Sequence, residues 1–115
     1  MRAICVVVCL LLSVASARAE MNVKDFFARF ERADASEKQF MQTILGQVGN
    51  GLSWANSRLA FLKRPKLYCQ PGDLALTDAQ TIDILRQHAR TNQKLQQAPF
   101  GLALLVAFEE EYPCR

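Results

Sequence analysis

The side chains with the clearest chemical potential are four cysteines, and two of them lie in a segment that we expect to be removed. Cys5 and Cys9 fall within an apolar stretch at the start of the chain, whereas Cys69 and Cys114 lie in its second half. In an oxidising compartment, the cysteines of a small exported domain form disulfides. The sequence therefore makes a bond between Cys69 and Cys114 available.

Other reactive side chains do not form a recognisable constellation. His88 is the only histidine, and no cysteine, aspartate or second histidine stands at metal-ligand spacing from it. No G-x-S-x-G nucleophile motif occurs. The run Glu109-Glu110-Glu111 is interpreted as a solvated helix end, with a contact surface for a basic partner as the alternative. We therefore expect no catalytic residues, no metal, no cofactor and no enzyme activity.

The first 19 residues have the pattern of a secretory signal peptide. Arg2 precedes an apolar run over residues 3–14, and Ala17-Arg18-Ala19 forms a small-x-small cleavage site. The apolar run is shorter than the roughly 20 residues that a membrane span requires. The sequence predicts cleavage after Ala19, a single mature domain at residues 20–115, and a periplasmic location.

The charge of the mature domain is nearly balanced. Without Arg2 and Arg18, 12 of the 14 basic residues remain against 11 acidic ones, a net charge of about +1. Nucleic-acid binding requires a basic surface, so this balance argues against a nucleic-acid partner. It also argues against electrostatic attachment to a membrane after cleavage.

Apolar spacing and breaker residues predict four helices and no strand. The first covers residues 22–32. The second follows a break at residues 33–37, with Ser36 as its N-cap, and ends at Pro65. The third starts at the capping box Thr77-x-x-Gln80 and fades over residues 92–97. The last starts near Pro99 and stops before residue 113. The predicted fold class is all-α, a small four-helix domain with one disulfide.

The same spacing predicts which faces are buried. The last helix is almost wholly apolar, so we expect it to be the most buried element. Trp54 is interpreted as a core anchor. Gly46, Gly49 and Gly51 are expected to pack against the last helix, with dimerisation or partner docking as the alternative. The predicted core stripe of the second helix is Phe40, Ile44, Val48, Leu52, Ala55, Leu59 and Leu62.

Four short segments together resemble the Rap/Tai immunity proteins. They are Gly46 to Asn56 with its G-x-x-G-N-G-L-S-W-A-N run, Leu67-Tyr68-Cys69-Gln70-Pro71, Leu74-Ala75-Leu76-Thr77, and Phe108 with Tyr112-Pro113-Cys114. The resemblance covers about residues 40–114. Many members carry a further cysteine in the first helix, where this chain has none, so a second disulfide is not expected.

The resemblance implies a periplasmic helical protein in which Cys69 and Cys114 are bonded. It also implies a protein partner: a peptidoglycan amidase delivered by type VI secretion, which the immunity protein binds and occludes, often as a homodimer. For the binding surface, we expect the polar loop at residues 90–99, with Gln93, Lys94 and Gln96 as the contact residues. The alternative function is a small periplasmic acid-stress chaperone.

Overall fold

The computed structural model describes residues 20–115, which fold into five helices. The predicted signal peptide, with Cys5 and Cys9, lies outside the described residues. The helices are α1 (Val23–Arg32), α2 (Ala35–Phe61), α3 (Asp78–Thr91), α4 (Gln93–Gln97) and α5 (Phe100–Glu111). Within this range there is no β-strand, only an isolated antiparallel bridge between Asn22 and Pro99. The all-α prediction is confirmed, with four helices of ten residues or more and one short helix between them.

Side chains cap α1, α2, α3 and α4 at their N-termini, where backbone N–H groups lack partners within the helix. The Thr77–Gln80 capping box is confirmed: the Gln80 N–H donates to the Thr77 hydroxyl at 3.2 Å, and the Thr77 N–H donates to the Gln80 side chain at 2.8 Å. The predicted cap at Ser36 is wrong. The Asp34 carboxylate accepts from the Glu37 N–H at 2.9 Å, so α2 begins at Ala35 and Ser36 lies within it.

The core lies where α5 packs against the other three long helices. Ala103, Leu104, Ala107 and Phe108 are at most 2% exposed, which agrees with the expectation that the last helix is the most buried. Leu102 on the same helix is nevertheless 54% exposed, so one side of α5 faces solvent. The other core side chains are Val23, Phe26, Phe30, Met41, Leu45, Tyr68, Ile82, Leu85, Ala89 and Leu95.

The long helix α2 buries a different face from the predicted one. Met41, Leu45 and Asn56 are buried, whereas Phe40 is 64% exposed and Trp54 is 70% exposed. The role of Trp54 as a core anchor was therefore predicted wrongly, and so was most of the core stripe, of which Val48 and Leu52 pack against the core as partly buried side chains. The physical reason is that residues 39–57 carry no charge, so apolar side chains lie on several faces and their spacing does not single one out.

The glycines of α2 help to decide which face is buried. A Cβ at Gly46 would collide with the Asp78 carboxylate of α3, and a Cβ at Gly49 would lie 3.6 Å from the Thr81 methyl group and 3.7 Å from the Phe108 ring. Neighbouring helices thus approach α2 closely along this side. Gly51 faces open space, so it takes no part in the packing.

Candidate functional site

The three predicted contact residues lie on or beside the short helix α4, where the sequence analysis expected a loop. Asn92 starts this helix because its side chain accepts from the Lys94 N–H at 3.1 Å. Gln93 and Lys94 are exposed. Gln96 is half-buried, and its amide donates to the Ala89 carbonyl of α3 at 3.2 Å. The structure thus leaves Gln93 and Lys94 free to meet a partner, while Gln96 helps to hold α4 against α3.

A groove of about 270 Å³ lies beside Gln96, between α1, α3 and α4. Arg86 is its central charged group: the guanidinium lies 3.3 Å from the Asp83 carboxylate and 3.5 Å from that of Glu31. It also stacks over the rings of Phe27 and Phe30, at 5.2 and 5.7 Å from their centroids. The groove therefore offers apolar and charged surface next to the exposed part of α4, which suits recognition of a protein surface.

A second groove, of about 300 Å³, follows the glycine side of α2. Gly46 and Gly49 form one wall, and the connector at residues 74–76 forms the other. Its polar side chains include Asn50, Ser53, Gln70 and Asp78, so the groove can accept hydrogen-bonding groups.

The connector between α2 and α3 is held at its base by Asn56. The Asn56 amide donates to the Tyr68 carbonyl at 2.8 Å, and its oxygen accepts from the Leu67 N–H, also at 2.8 Å. Asn56 is 8% exposed, so both hydrogen bonds are largely shielded from water. A single buried side chain thereby satisfies one donor and one acceptor of the connector backbone.

The disulfide holds the same segment from the other side, as the sequence predicted. Cys69 and Cys114 are bonded, with Cα atoms 4.9 Å apart and a sequence separation of 45. The Cys69 N–H donates to the Tyr112 carbonyl at 2.7 Å, and the Tyr68 ring lies 5.1 Å from that of Phe108. The connector is therefore attached both to α2 and to the end of α5. This arrangement leaves neither cysteine as a thiol.

Burial affects the acid–base behaviour of the two tyrosines. Burial raises the pKa of Tyr68 above its ordinary value. The pKa of Tyr112 is also raised, first by burial and then by the negative charge of Glu111. Both hydroxyls are therefore neutral at physiological pH, which suits packing and hydrogen bonding better than proton abstraction.

His88 joins the ends of α3 and α5. Its Nδ1 lies 2.9 Å from a Glu110 oxygen, and its Nε2 lies 3.0 Å from a Glu111 oxygen. Only the doubly protonated ring can donate to both carboxylates. Two of the three glutamates thus have a partner within the fold, a role that the sequence analysis did not foresee. No group of three or more potential ligands within residues 20–115 is positioned to hold a metal ion.

One charged surface was missed altogether by the sequence analysis. The basic residues Arg58, Lys63, Arg64 and Lys66 lie close together at the end of α2 and the start of the connector. The signal was present in the chain, because no acidic residue occurs between Glu37 and Asp73. The near-neutral net charge of residues 20–115 as a whole concealed it.

Together, the fold and these surfaces define a small helical domain, closed by one disulfide, with polar and basic surfaces suited to binding. In the part of the chain that the structure describes, no helix is both long and apolar enough to cross a membrane. Comparisons of the chain with protein-family models, curated proteins and solved structures find no match.

Proposed function

We propose that the protein is an exported, periplasmic immunity protein of the Rap/Tai type, which binds and occludes a peptidoglycan amidase delivered by type VI secretion. It acts by covering the enzyme and not by catalysis. The observation that carries the proposal is the convergence of the residues on which the resemblance rests. Asn56, Tyr68, Cys69 and Cys114 come from three separate segments and meet at the base of the connector.

This convergence supports the proposal because it gives the dispersed motif a common physical role. The residues hold the connector to α2 and α5, so they maintain a rigid domain without contacting a partner themselves. An occluding protein benefits from such rigidity, since a preorganised surface loses less conformational entropy on binding.

The binding surface in this proposal is α4 and the adjoining groove. Gln93 and Lys94 are exposed there, and Arg86 and Glu31 provide charges at the groove. Polar side chains at the rim give specificity, while the apolar floor at Phe27 provides area to bury. The proposed partner face is thus on the α1–α3–α4 side of the domain.

The test begins with tagged protein expressed in its own cell and captured from a periplasmic extract. We expect a secreted cell-wall amidase to co-purify and its hydrolysis of peptidoglycan to be inhibited. The double variant Gln93→Ala/Lys94→Ala should weaken inhibition at least tenfold. Gln96→Ala is tested separately, because its hydrogen bond to Ala89 gives it a structural role.

A matched control removes the same residue types elsewhere. Gln47 on α2 and Lys66 on the connector are both exposed, so Gln47→Ala/Lys66→Ala should leave inhibition unchanged. If the two double variants behave alike, the α4 surface is wrong. If no amidase is captured and none is inhibited, the immunity function is wrong.

A second candidate function, a periplasmic acid-stress chaperone, is favoured by the amount of exposed apolar surface. Phe40, Trp54, Phe61 and Leu102 are between 54% and 76% exposed. Large exposed apolar side chains on a small domain can hold unfolded clients. This candidate predicts that the purified protein suppresses aggregation of unrelated proteins at low pH, whereas an immunity protein should recognise one partner.

A further inference from the structure

The stretch between Glu37 and Asp73 carries only positive charge. It contains five basic residues, Lys38, Arg58, Lys63, Arg64 and Lys66, and no acidic one. Four of the five fall within nine consecutive positions at the end of α2 and the start of the connector. The domain is therefore strongly basic at this end, although its total charge is close to neutral.

This end of α2 projects beyond the core. None of the residues 57–67 is buried, whereas the helix is still anchored by buried Asn56 one residue earlier. Several large apolar side chains accompany the cations there: Trp54 is 70% exposed, Phe61 is 76% exposed, and Leu62 is 46% exposed. We call this region the basic tip, defined by Trp54, Arg58, Phe61, Leu62, Lys63, Arg64, Lys66 and Leu67.

The cations of the basic tip are not used by the fold. The ion pairs of residues 20–115 involve Arg29, Arg86 and His88, and no carboxylate of this range lies within 4.0 Å of a tip cation. The guanidinium of Arg58 instead lies over the Phe61 ring, 5.4 Å from its centroid. Positive charge and apolar surface are thus both available to an external partner.

Lys63 occupies a position where glycine would suit the backbone better. Its φ of 54° is left-handed. The Lys63 N–H donates to the Ala60 carbonyl and the Arg64 N–H to the Leu59 carbonyl, the pattern that ends many helices at glycine. A left-handed lysine costs about 1 kcal/mol, and its side chain makes no ion pair within the described residues. Its charge is therefore better explained by an external contact than by the fold.

We propose that the basic tip docks on the surface of an anionic lipid bilayer. Trp54, Phe61 and Leu62 enter the interfacial layer, and the four cations lie near the lipid phosphates. Clusters of four or more basic residues on an amphipathic helix favour anionic lipid. Tryptophan is favoured at the boundary between headgroups and acyl chains.

The composition of the basic tip favours a lipid surface over a fixed protein groove. Two of its four cations, Lys63 and Lys66, are lysines, which act as point charges on flexible stems and do not impose a planar, bidentate geometry. Such groups suit a fluid array of phosphates. None of the residues 57–67 is buried, so the side chains of the tip can meet a flat interface without a complementary cavity.

This inference is independent of amidase inhibition, which we assign to α4. The inference adds where the protein acts. Attachment by the basic tip would hold the domain at a membrane surface and leave α4 available to bind its partner. The two proposals can fail separately, since no residue is replaced to test both: Lys66 and Lys94 each belong to the test of one proposal and only to the control of the other.

Trp54 is the only tryptophan of the chain, so its fluorescence reports directly on the tip. The protein is purified from the exporting cell, and mass spectrometry checks that residues 1–19 are absent, so that the leader cannot cause binding. Vesicles of phosphatidylglycerol and phosphatidylcholine should shift the emission to shorter wavelength and sediment the protein. Vesicles of phosphatidylcholine alone should not, and high salt should reverse the effect.

Lys63→Gly is the sharpest variant, because it removes one charge while relieving the left-handed backbone. A basic residue near an anionic surface contributes about 1 kcal/mol, so we expect binding to weaken about fivefold. Arg58→Gln/Arg64→Gln/Lys66→Gln should abolish it. The matched control Lys24→Gln/Arg90→Gln/Lys94→Gln removes three charges elsewhere and should bind as the wild type does.

Four results would overturn the proposal. Failure of anionic vesicles to bind the wild-type protein is the first. The second is an equal loss of vesicle binding in the tip triple variant and in the control triple variant, since it would indicate that net charge alone attracts the protein to the vesicles. The third is capture of an acidic protein by the tip in the absence of vesicle binding. A fluorescence shift that rises with protein concentration, without vesicles, would indicate self-association and would also contradict it.

Discussion

The Asn56 amide donates to the Tyr68 carbonyl at 2.8 Å, which joins the long helix α2 to the connector that follows it. Asn56 is the last buried residue of α2, and Tyr68 is the first buried residue after it. The chain between them carries all four cations of the basic tip, and the tip residue Trp54 lies two positions before Asn56. One hydrogen-bonded pair therefore holds the base of the segment whose cations we assign to membrane contact.

Replacing Asn56 by alanine should strongly destabilise the domain. The change removes two hydrogen bonds and leaves the Leu67 N–H and the Tyr68 carbonyl without their partner. Since unsatisfied buried backbone groups cost about 1–3 kcal/mol, we expect the free energy of unfolding to fall by about 2–3 kcal/mol. Urea unfolding followed by circular dichroism measures it. The control Asn50→Ala, at an exposed position of the same helix, should change stability by less than about 0.5 kcal/mol.

The disulfide provides a second prediction. Cys114→Ser removes the disulfide, which closes a loop with a sequence separation of 45. In the chain-entropy model, a loop of this length stabilises the folded state by about 4 kcal/mol. The variant should melt at a lower temperature than the wild type under oxidising conditions. With reductant present the two should melt alike, because the wild type then lacks the bond as well. Equal melting in the absence of reductant would contradict the bond, and Cys69→Ser should reproduce the result for Cys114→Ser.

Features that depend on nearby residues could be predicted from the sequence. The Thr77–Gln80 capping box needs only four consecutive residues, and the end of α5 follows from Pro113, two residues after Glu111. The helix α2, by contrast, ends at Phe61, before the predicted end at Pro65, because the backbone becomes left-handed at Lys63. The disulfide was predicted from the expected export and from the two cysteines of the predicted mature domain. In each case, the prediction needs only a few neighbouring positions or the residue types present, so one sequence is enough.

Features that depend on contacts between distant parts of the chain could not be predicted in the same way. The face of α2 that is buried depends on how closely α3 and Phe108 approach Gly46 and Gly49, and apolar spacing does not contain that information. The helix α4 forms because Asn92 caps it and Leu95 is buried, although its polar residues favour a loop. The basic tip could not be predicted from the net charge, because the net charge is a sum over the chain and does not say where the charged residues lie.

Gly51→Ala should stabilise the monomer, because Gly51 is an interior residue of α2 and faces open space. Alanine restricts the unfolded chain and favours helix, which together contribute about 0.5–1 kcal/mol. Urea unfolding at low protein concentration tests this expectation. The homodimer implied by the resemblance adds a control at high concentration: if a second copy packs closely against Gly51, the added methyl group should weaken dimerisation in analytical ultracentrifugation. Loss of stability at low concentration would contradict the open environment of Gly51.

Alkaline pH should destabilise the domain through its two tyrosines. Burial raises the pKa of Tyr68 in the folded state, and burial followed by the charge of Glu111 raises that of Tyr112. Because the folded-state values exceed the unfolded value of about 10, the stabilisation is fully present below that pH and is lost as the pH rises above it. Chemical unfolding at increasing pH should show this fall.

The tyrosinate absorbance can separate the effect of burial from the effect of the Glu111 charge, because the chain has only these two tyrosines. In the native protein, the absorbance should appear at higher pH than in the urea-unfolded protein. Glu111→Gln removes the charge that acts on Tyr112, so part of the titration should move to lower pH. Glu109→Gln removes a neighbouring charge that is not a cause of either shift, and it should leave the curve unchanged. Coincident native and unfolded titrations would contradict the burial of both hydroxyl groups.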